Sequence, residues 1–486
     1  MSKDILNLEP KAIWKNFYSL TQVPRPSKKE EKIRKFCADF GRNLGLETII
    51  DDIGNVIIKK PATPGMEDRK GIILQGHMDM VPQKNRETKH DFEKDPIDAF
   101  IDGEWVTARG TTLGADNGMG VAAGMAVLEA TDIEHGPIEV FITTDEETGM
   151  TGAINVKLGV LDGDILLNLD SEDEGELYIG CAGGVDTTVK YHYKMEAVPG
   201  GVVAYKLTVK GLKGGHSGLD IHYGKGNACL ILSEFLIAAG ERYGVRLADI
   251  DAGSLRNAIP REAFASIVVP KENEVAFLNY LKEFESGEKT TYQAVDPDLI
   301  ITAEEFDTPK QVIDKGTQEG LTKSVVNCPN GVLAMNKDMA GVVETSSNLA
   351  IIKIVDGAIE VCCLTRSAID ADRDVAAAKI ADNFKSYGGE VENSGAYPGW
   401  KPNVNSEILD TMKKVYDDKF GKIPDVKVIH AGLECGILGA TYTNWDMISF
   451  GPTIRHPHSP DEKVNIATVQ KFWDYLVETL KYAPKK

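Results

Sequence analysis

Three short apolar runs constrain this chain more than any other feature. GIILQG occupies residues 71–76, IEVFIT residues 138–143 and ILLNL residues 165–169. Each is too short for a buried helix and too continuous for a strand with one wet face. Runs of this kind fit strands buried on both faces, as in a parallel sheet with helices above and below. The surrounding sequence agrees. Residues 31–45 (EKIRKFCADFGRNLG) carry helix-period apolar spacing that stops at Gly45, and Gly118–Ala130 reads as a further helix. Ile49–Asp51 and Val56–Lys59 read as a strand pair around a turn at residues 52–55. Strand and helix alternate, so an α/β layered domain with a mostly parallel sheet is expected.

The pattern changes near AGGVD (182–186). From Thr187 to about residue 395 the strands alternate apolar and polar, as in VAYKLTVKG, AFASIVV and IEVCCLTRS, with helices near 225–240 and 273–285. That is the signature of a sheet with one open face, an α+β domain. NSGAYPGWKPN (393–403) is rich in turn residues and would close it, after which helix and strand alternate again. A chain of 486 residues exceeds one ordinary core. The expected organisation is a catalytic domain over 1–185 plus 398–486, interrupted by an inserted domain over 186–397.

Composition narrows the function classes. The formal charge of −20 argues against nucleic acid and anionic membrane surfaces as partners. The N-terminal stretch MSKDILNLEPKAIW has no basic segment leading into a long apolar run, and Cys229–Gly240 is too short to span a bilayer. A cytoplasmic location is expected. Seven dispersed cysteines without a CxxC pair fit reduced thiols. Any metal must then be held by His, Asp and Glu.

Those residue types sit where the strands end. The first run leads into His77-Met78-Asp79. An imidazole there can take a metal, while Asp79 holds its other ring nitrogen. Asp116 lies in GTTLGADNGMG, ahead of a helix that it could equally well cap. The second run ends in Asp145-Glu146-Glu147, either a solvated charge run or a cluster awaiting cations. The third ends in Asp170, and a distant stretch, RHPHSPDE, brackets His456 and His458 with prolines. Each feature has an ordinary explanation. Their recurrence at successive strand edges favours a metal site.

Taken in order, GHMDMV, LGADNG, DEETG, NLDSE and HSPDE resemble the co-catalytic zinc aminopeptidase, carboxypeptidase and aminoacylase family. GHMDMV, GGHSGLDIH, RNAIPRE and HAGLECG resemble its bacterial dipeptidase subgroup acting on aminoacyl-histidine, and they span both expected domains. The resemblance implies two divalent ions, zinc with cobalt or manganese as alternatives. His77 and Asp170 would hold one, Glu147 and His458 the other, and Asp116 would bridge them; His456 is the fallback for His458. Asp79 would orient His77, and Glu146 would be the general base for a water between the ions. His216 would stabilise the oxyanion with help from Asn257, in a surface turn otherwise. Arg366 would clamp the substrate carboxylate, in a surface ion pair otherwise, and Glu434 would meet its amino group. The implied activity is hydrolysis of dipeptides, Xaa-His such as β-alanyl-histidine included, by a homodimer formed through the inserted domain. A deacylase or tripeptidase of the same family, or an inactive metal-binding relative, would carry the same ligands.

Overall fold

The structure is a computed structural model that describes residues 3–486; Met1 and Ser2, which open the N-terminal stretch read above, lie outside it. The chain forms two compact units. Unit 1 runs to Gly180 and resumes over Trp400–Val428 and Leu433–Lys486; unit 2 comprises Cys181–Gly399 and Ile429–Gly432.

Unit 1 is built on an eight-stranded sheet. Its order is Glu47–Ile50, Val56–Lys60, Ile138–Thr143, Ile72–His77, Ile165–Asn168, Asp446–Ser449, Glu176–Cys181 and Asp425–Ile429. Ile138–Thr143, Ile72–His77, Ile165–Asn168 and Asp446–Ser449 run parallel. The three apolar runs are thus adjacent central strands, and all three are buried throughout. Helix Lys11–Thr21 buries Ile13, Trp14, Phe17 and Leu20, a stripe with helical spacing; each such side chain contributes about 1.5–3 kcal/mol on burial. Helix Glu31–Asn43 presents Gly41 to the sheet, where a Cβ would collide with Thr48 and Ile58. The missing side chain lets that helix lie flush on the outer strand pair. Helix Ala115–Glu129 is apolar all round, and its residues from Gly118 to Leu128 are buried.

Unit 2 holds an antiparallel sheet ordered Ile300–Glu305, Val202–Lys210, Ala263–Pro270, Arg246–Ala252, Val343–Val355, Ala358–Ser367, Gly183–His192 and Glu390–Tyr397, with Gly331–Met335 also paired to Val343–Val355. Leu247, Ile267 and Val361 from the strands meet Phe235, Phe277 and Phe384 from helices in one core. AGGVD, where the pattern changes, is largely strand, because Gly183–Asp186 pair with Leu364–Ser367. One expectation changes here. Residues 393–397 extend an edge strand on Gly183–His192 instead of forming a closing turn; backbone pairing overrides the turn residues, with a register shift between Ser394 and Tyr397. The strand containing CLTRS is buried on both faces from Val361 to Ser367. Its polar side chains are covered by other parts of unit 2: Arg366 by Ser217 and Tyr397, and neighbouring Ser346 by His430. No helix among the described residues is long and apolar enough to cross a membrane.

Candidate metal centre

Because the central strands of unit 1 are parallel, their carboxyl ends share one edge, the usual location of sites in open α/β sheets. Strand Ile72–His77 ends on His77, Ile138–Thr143 leads into the turn bearing Glu146 and Glu147, and Ile165–Asn168 is followed by Asp170. Asp116 stands at the start of helix Ala115–Glu129, after Gly114 (φ 71°) and before a cis Asp116–Asn117 bond. His458 lies on the loop between the antiparallel strands Ile454–Arg455 and Lys463–Asn465.

These side chains converge. His77 Nε2 lies 3.1 Å from Asp116 Oδ1 and 3.5 Å from Asp170 Oδ1. His458 Nε2 lies 3.2 Å from Asp116 Oδ2 and 2.9 Å from Glu147 Oε2. The two oxygens of Asp116 therefore face different histidines. Three overlapping groups, His77–Asp116–Asp170, Asp116–Glu147–His458 and His77–Glu146–Glu147, each bring ligand atoms within 4.8 Å of one another. Glu147 Oε1 and Asp170 Oδ1 are buried without a hydrogen-bond partner among the described residues. Buried carboxylate oxygens that lack donors, set beside imidazole nitrogens, fit a divalent cation of zinc-like character.

The DEE run resolves into separate tasks. Asp145 is buried against Lys28 Nζ at 2.7 Å and also accepts from Thr148 and Thr151, while Glu146 and Glu147 turn toward the site. Asp79 faces His77 Nδ1 at 3.4 Å and accepts from Ser27 Oγ at 2.8 Å. His456 belongs to a different place, a surface groove with Asn85, Arg109 and Lys463.

Electrostatics follow from burial and crowding. Burial alone would raise Asp79, but His77, Ser27 and the Glu146 N–H bring it down to about 2. Burial pushes Asp170 up to about 7 against the pull of His77. Burial also holds Glu146 well above the usual carboxylate range; His77 opposes this, and Asp170, Glu434 and Glu147 add to it. Hydrogen bonds to Asp116 and Glu147 raise His458 to about 11.

Several participants carry no signal in the sequence. Beneath the site a polar row crosses the sheet. Gln75 Nε2 donates to Glu434 Oε2 at 2.5 Å, Asn168 Nδ2 donates to Gln75 Oε1 at 2.6 Å, and Ser449 Oγ donates to Asn168. Glu434, expected to meet substrate, lies buried here and accepts also from Thr143 Oγ1 at 2.8 Å. Burial pushes it up to about 7. Arg25, in the unremarkable stretch VPRPS, is buried and donates to the carbonyls of Met78, Asp79 and Gly114.

Unit 2 contains its own polar group. His216 Nδ1 accepts the N–H groups of Gly218 (3.1 Å) and Leu219 (3.0 Å), so the neutral ring carries its proton on Nε2 and can donate from there. Burial, then Arg366, lowers its pKa. Arg366 is 5 % exposed, donates to Tyr397 OH at 3.0 Å, and has no carboxylate within ion-pair distance among the described residues. The exposed Asn257 gives its carbonyl to the Ser217 N–H at 2.8 Å. His430, a residue of HAGLECG to which the sequence assigned no role, bonds Ser346 Oγ through Nε2 at 2.7 Å and leaves Nδ1 buried and unpartnered.

Known proteins share this arrangement of sequence and fold. The chain is 44% identical over 484 residues to the cytosol non-specific dipeptidase of Escherichia coli (strain K12), covering 99% of this chain and 100% of that protein. The crystal structure of aminoacylhistidine dipeptidase from Vibrio alginolyticus superposes with a TM-score of 0.93 at 48% identity, covering 99% of this chain and 98% of that one. Aminopeptidase PepT from Bacillus cereus ATCC 10987 shares the fold at 17% identity and a TM-score of 0.58, over 98% and 99% of the two chains. Residues 73–482, which carry every candidate metal ligand described above, match the profile of one enzyme family, and the chain belongs to it: peptidase family M20/M25/M40.

Proposed function

We propose that this protein is a metal-dependent dipeptidase with a two-ion centre, acting on dipeptides that include Xaa-His. The observation that carries the reading is Asp116, whose two oxygens lie 3.1 and 3.2 Å from the Nε2 atoms of His77 and His458. That is the layout of a carboxylate shared between two ions. His77 and Asp170 would complete one set of donors, Glu147 and His458 the other. Zinc suits the set, and cobalt or manganese fits the same donors. Bound there, divalent ions supply Lewis acidity at the scissile carbonyl and bring the pKa of a water toward neutrality.

The chain's own residues do the rest. Asp79 fixes the tautomer and direction of His77. Glu146 takes the proton of the attacking water and hands it to the leaving amine, a role suited to a carboxyl whose burial makes it hold a proton well. In unit 2, Arg366 is a buried guanidinium without a carboxylate in ion-pair distance among the described residues, which supports recognition of a free C-terminal carboxylate. His216, with its Nε2 proton, is assigned to the oxyanion, and Asn257 to its support. Glu434 would act on the substrate ammonium through the floor of the site rather than from its surface. The relatives named as dipeptidases support the dipeptide reading, and the word cytosol in one of those names supports a cytoplasmic location. A homodimer through unit 2 belongs to the same reading, and sedimentation measures it.

The test is a substrate panel of β-alanyl-histidine, other dipeptides, tripeptides with a free C-terminus and N-acetyl amino acids, run before and after chelation and after return of Zn²⁺. Dipeptide cleavage that chelation abolishes and Zn²⁺ restores is expected. Cleavage indifferent to chelation would remove the metal centre from the mechanism. Preference for tripeptides or N-acetyl amino acids would move the substrate class.

A further inference from the structure

We propose that Glu462 is the positioning residue that sets the bridging carboxylate, by tying the loop of His458 to the loop of Asp116. The proposal rests on the two-ion reading above.

Glu462 is 1 % exposed, and its carboxylate accepts four consecutive backbone N–H groups. Oε2 takes Leu113 at 2.7 Å and Gly114 at 2.9 Å; Oε1 takes Ala115 at 2.7 Å and Asp116 at 3.2 Å. Leu113 and Gly114 precede helix Ala115–Glu129, and Ala115 and Asp116 lie ahead of its regular part, which begins after the non-helical Asp116 and Asn117, so these N–H groups have no carbonyl of the helix to bond. A carboxylate located 346 residues later in the chain fills that need. Gly114, at φ 71°, lets the N–H groups turn inward as a concave anion-binding nest.

The opposite side of the same loop is held as firmly. The Gly114 carbonyl accepts from Arg25, whose other guanidinium nitrogen reaches the carbonyls of Met78 (3.1 Å) and Asp79 (3.0 Å), next to His77. Glu462 is itself fixed, since its carbonyl accepts Thr107 Oγ1 at 2.7 Å on the strand that leads into the Asp116 loop. Glu462 also follows His458 by four residues in one loop. One side chain thus links a proposed terminal ligand to the proposed bridge, whose two oxygens must suit two ions at once. Metal sites tolerate only about 0.2 Å of error in ligand distance.

The chemistry of the side chain makes this testable. A carboxylate offers about four acceptor positions on two oxygens. Glutamine has the same shape but only one acceptor oxygen, and its NH₂ would face two N–H donors. Glu139 supplies the control. It is a buried carboxylate at the start of strand Ile138–Thr143 of the eight-stranded sheet and accepts the Asp162 and Gly163 N–H groups, both at 2.8 Å, away from the proposed ligands.

The experiment titrates chelated wild type, E462Q, E462D and E139Q with Zn²⁺ by calorimetry and with Co²⁺ by electronic absorption. Thermal melts of the metal-free proteins and kcat and KM at saturating Zn²⁺ complete the comparison. Wild type should take two ions per chain. E462Q should bind metal about 10–100-fold more weakly, show an altered Co²⁺ spectrum, and lose kcat more than KM. E462D, which keeps the charge and loses reach, should fall between. E139Q should lose thermal stability and keep its metal affinity and spectrum. Wild-type affinity and spectrum in E462Q would overturn the proposal, as would equal losses in E139Q. If E462Q does not fold, E462D is judged by the same criteria. Fewer than two ions on wild type would instead overturn the two-ion reading.

Discussion

The backbone N–H of Glu146 donates to Asp79 Oδ1 at 3.0 Å. The residue proposed to orient His77 therefore also anchors the turn that carries Glu146, and the Glu147 N–H reaches the other oxygen at 3.3 Å. Asp79→Asn keeps the shape but loses an acceptor oxygen, so it should disturb ligand and base together. Metal affinity is expected to fall about 10–100-fold with kcat falling even at saturating Zn²⁺. Zinc content and kinetics measured on one preparation check both halves. A loss of affinity that added Zn²⁺ fully repairs would limit Asp79 to the ligand.

Glu146→Gln removes the proposed proton acceptor and leaves the donors of both proposed ion sites in place. We expect zinc content to match wild type while kcat drops by about 10²–10⁴-fold. Retained turnover in a fully loaded variant would transfer the base role to another group.

Arg366→Ala should raise KM for dipeptides by about 10–100-fold, the scale of a charge-assisted hydrogen bond, with a smaller effect on kcat. Discrimination between a dipeptide and its C-terminal amide should shrink in parallel. Unaltered discrimination would leave Arg366 a role only in packing against Tyr397.

His430 sets an acid limit for unit 2. Burial, then Arg366, His216 and His222, lowers its pKa from 6.5 to about 3. The unfolded chain therefore takes up this proton first as the pH falls. The stability associated with the neutral ring is complete above pH 6.5 and drains away between there and about pH 3, at no more than ~1.4 kcal/mol per pH unit. His430→Gln should flatten that limb. Urea unfolding of wild type and variant at pH 7 and pH 5 gives the comparison, and parallel losses in the two proteins would refute the assignment.

Gly218→Ala probes how closely the His216 loop packs. A Cβ there would run into the His430 carbonyl oxygen, a backbone atom that cannot swing aside. A loss of about 1–3 kcal/mol is expected, whereas Gly200→Ala, with open space around it, should stay within ~0.5 kcal/mol of wild type. Comparing the two melting temperatures decides the point.

The parts of the centre legible in the sequence are those that terminate a strong periodic signal. His77 and Asp170 follow buried apolar runs, so their edge was fixed by the strands preceding them. The distinction between Glu146 and Glu147 needed the family resemblance, because adjacent carboxylates look alike until a turn separates them. Gln75 and Asn168 gave no warning, since single amides inside apolar runs read as interruptions rather than as a row formed by strand register. Arg25 and Glu462 act on backbone groups, and such contacts demand no recognisable partner side chain. The excursion of Ile429–Gly432 into unit 2 is too brief to shift composition. The edge strand through Asn393 and Ser394 was hidden by turn-forming residues that backbone pairing overrode.

The polar row beneath the centre also imposes an order of assembly. Asn168 is made early, but its partner Ser449 lies beyond the long segment of unit 2 that ends at Gly399. The proposed ligands His77 and Asp116 likewise precede His458 by most of the chain. A nascent chain can therefore build the outer strands and the apolar helices of unit 1 while the floor of its sheet stays unfinished and its proposed ligand set incomplete. On the two-ion reading, loading with metal would then be a late event, reserved for a chain whose last strands have already returned to the first sheet.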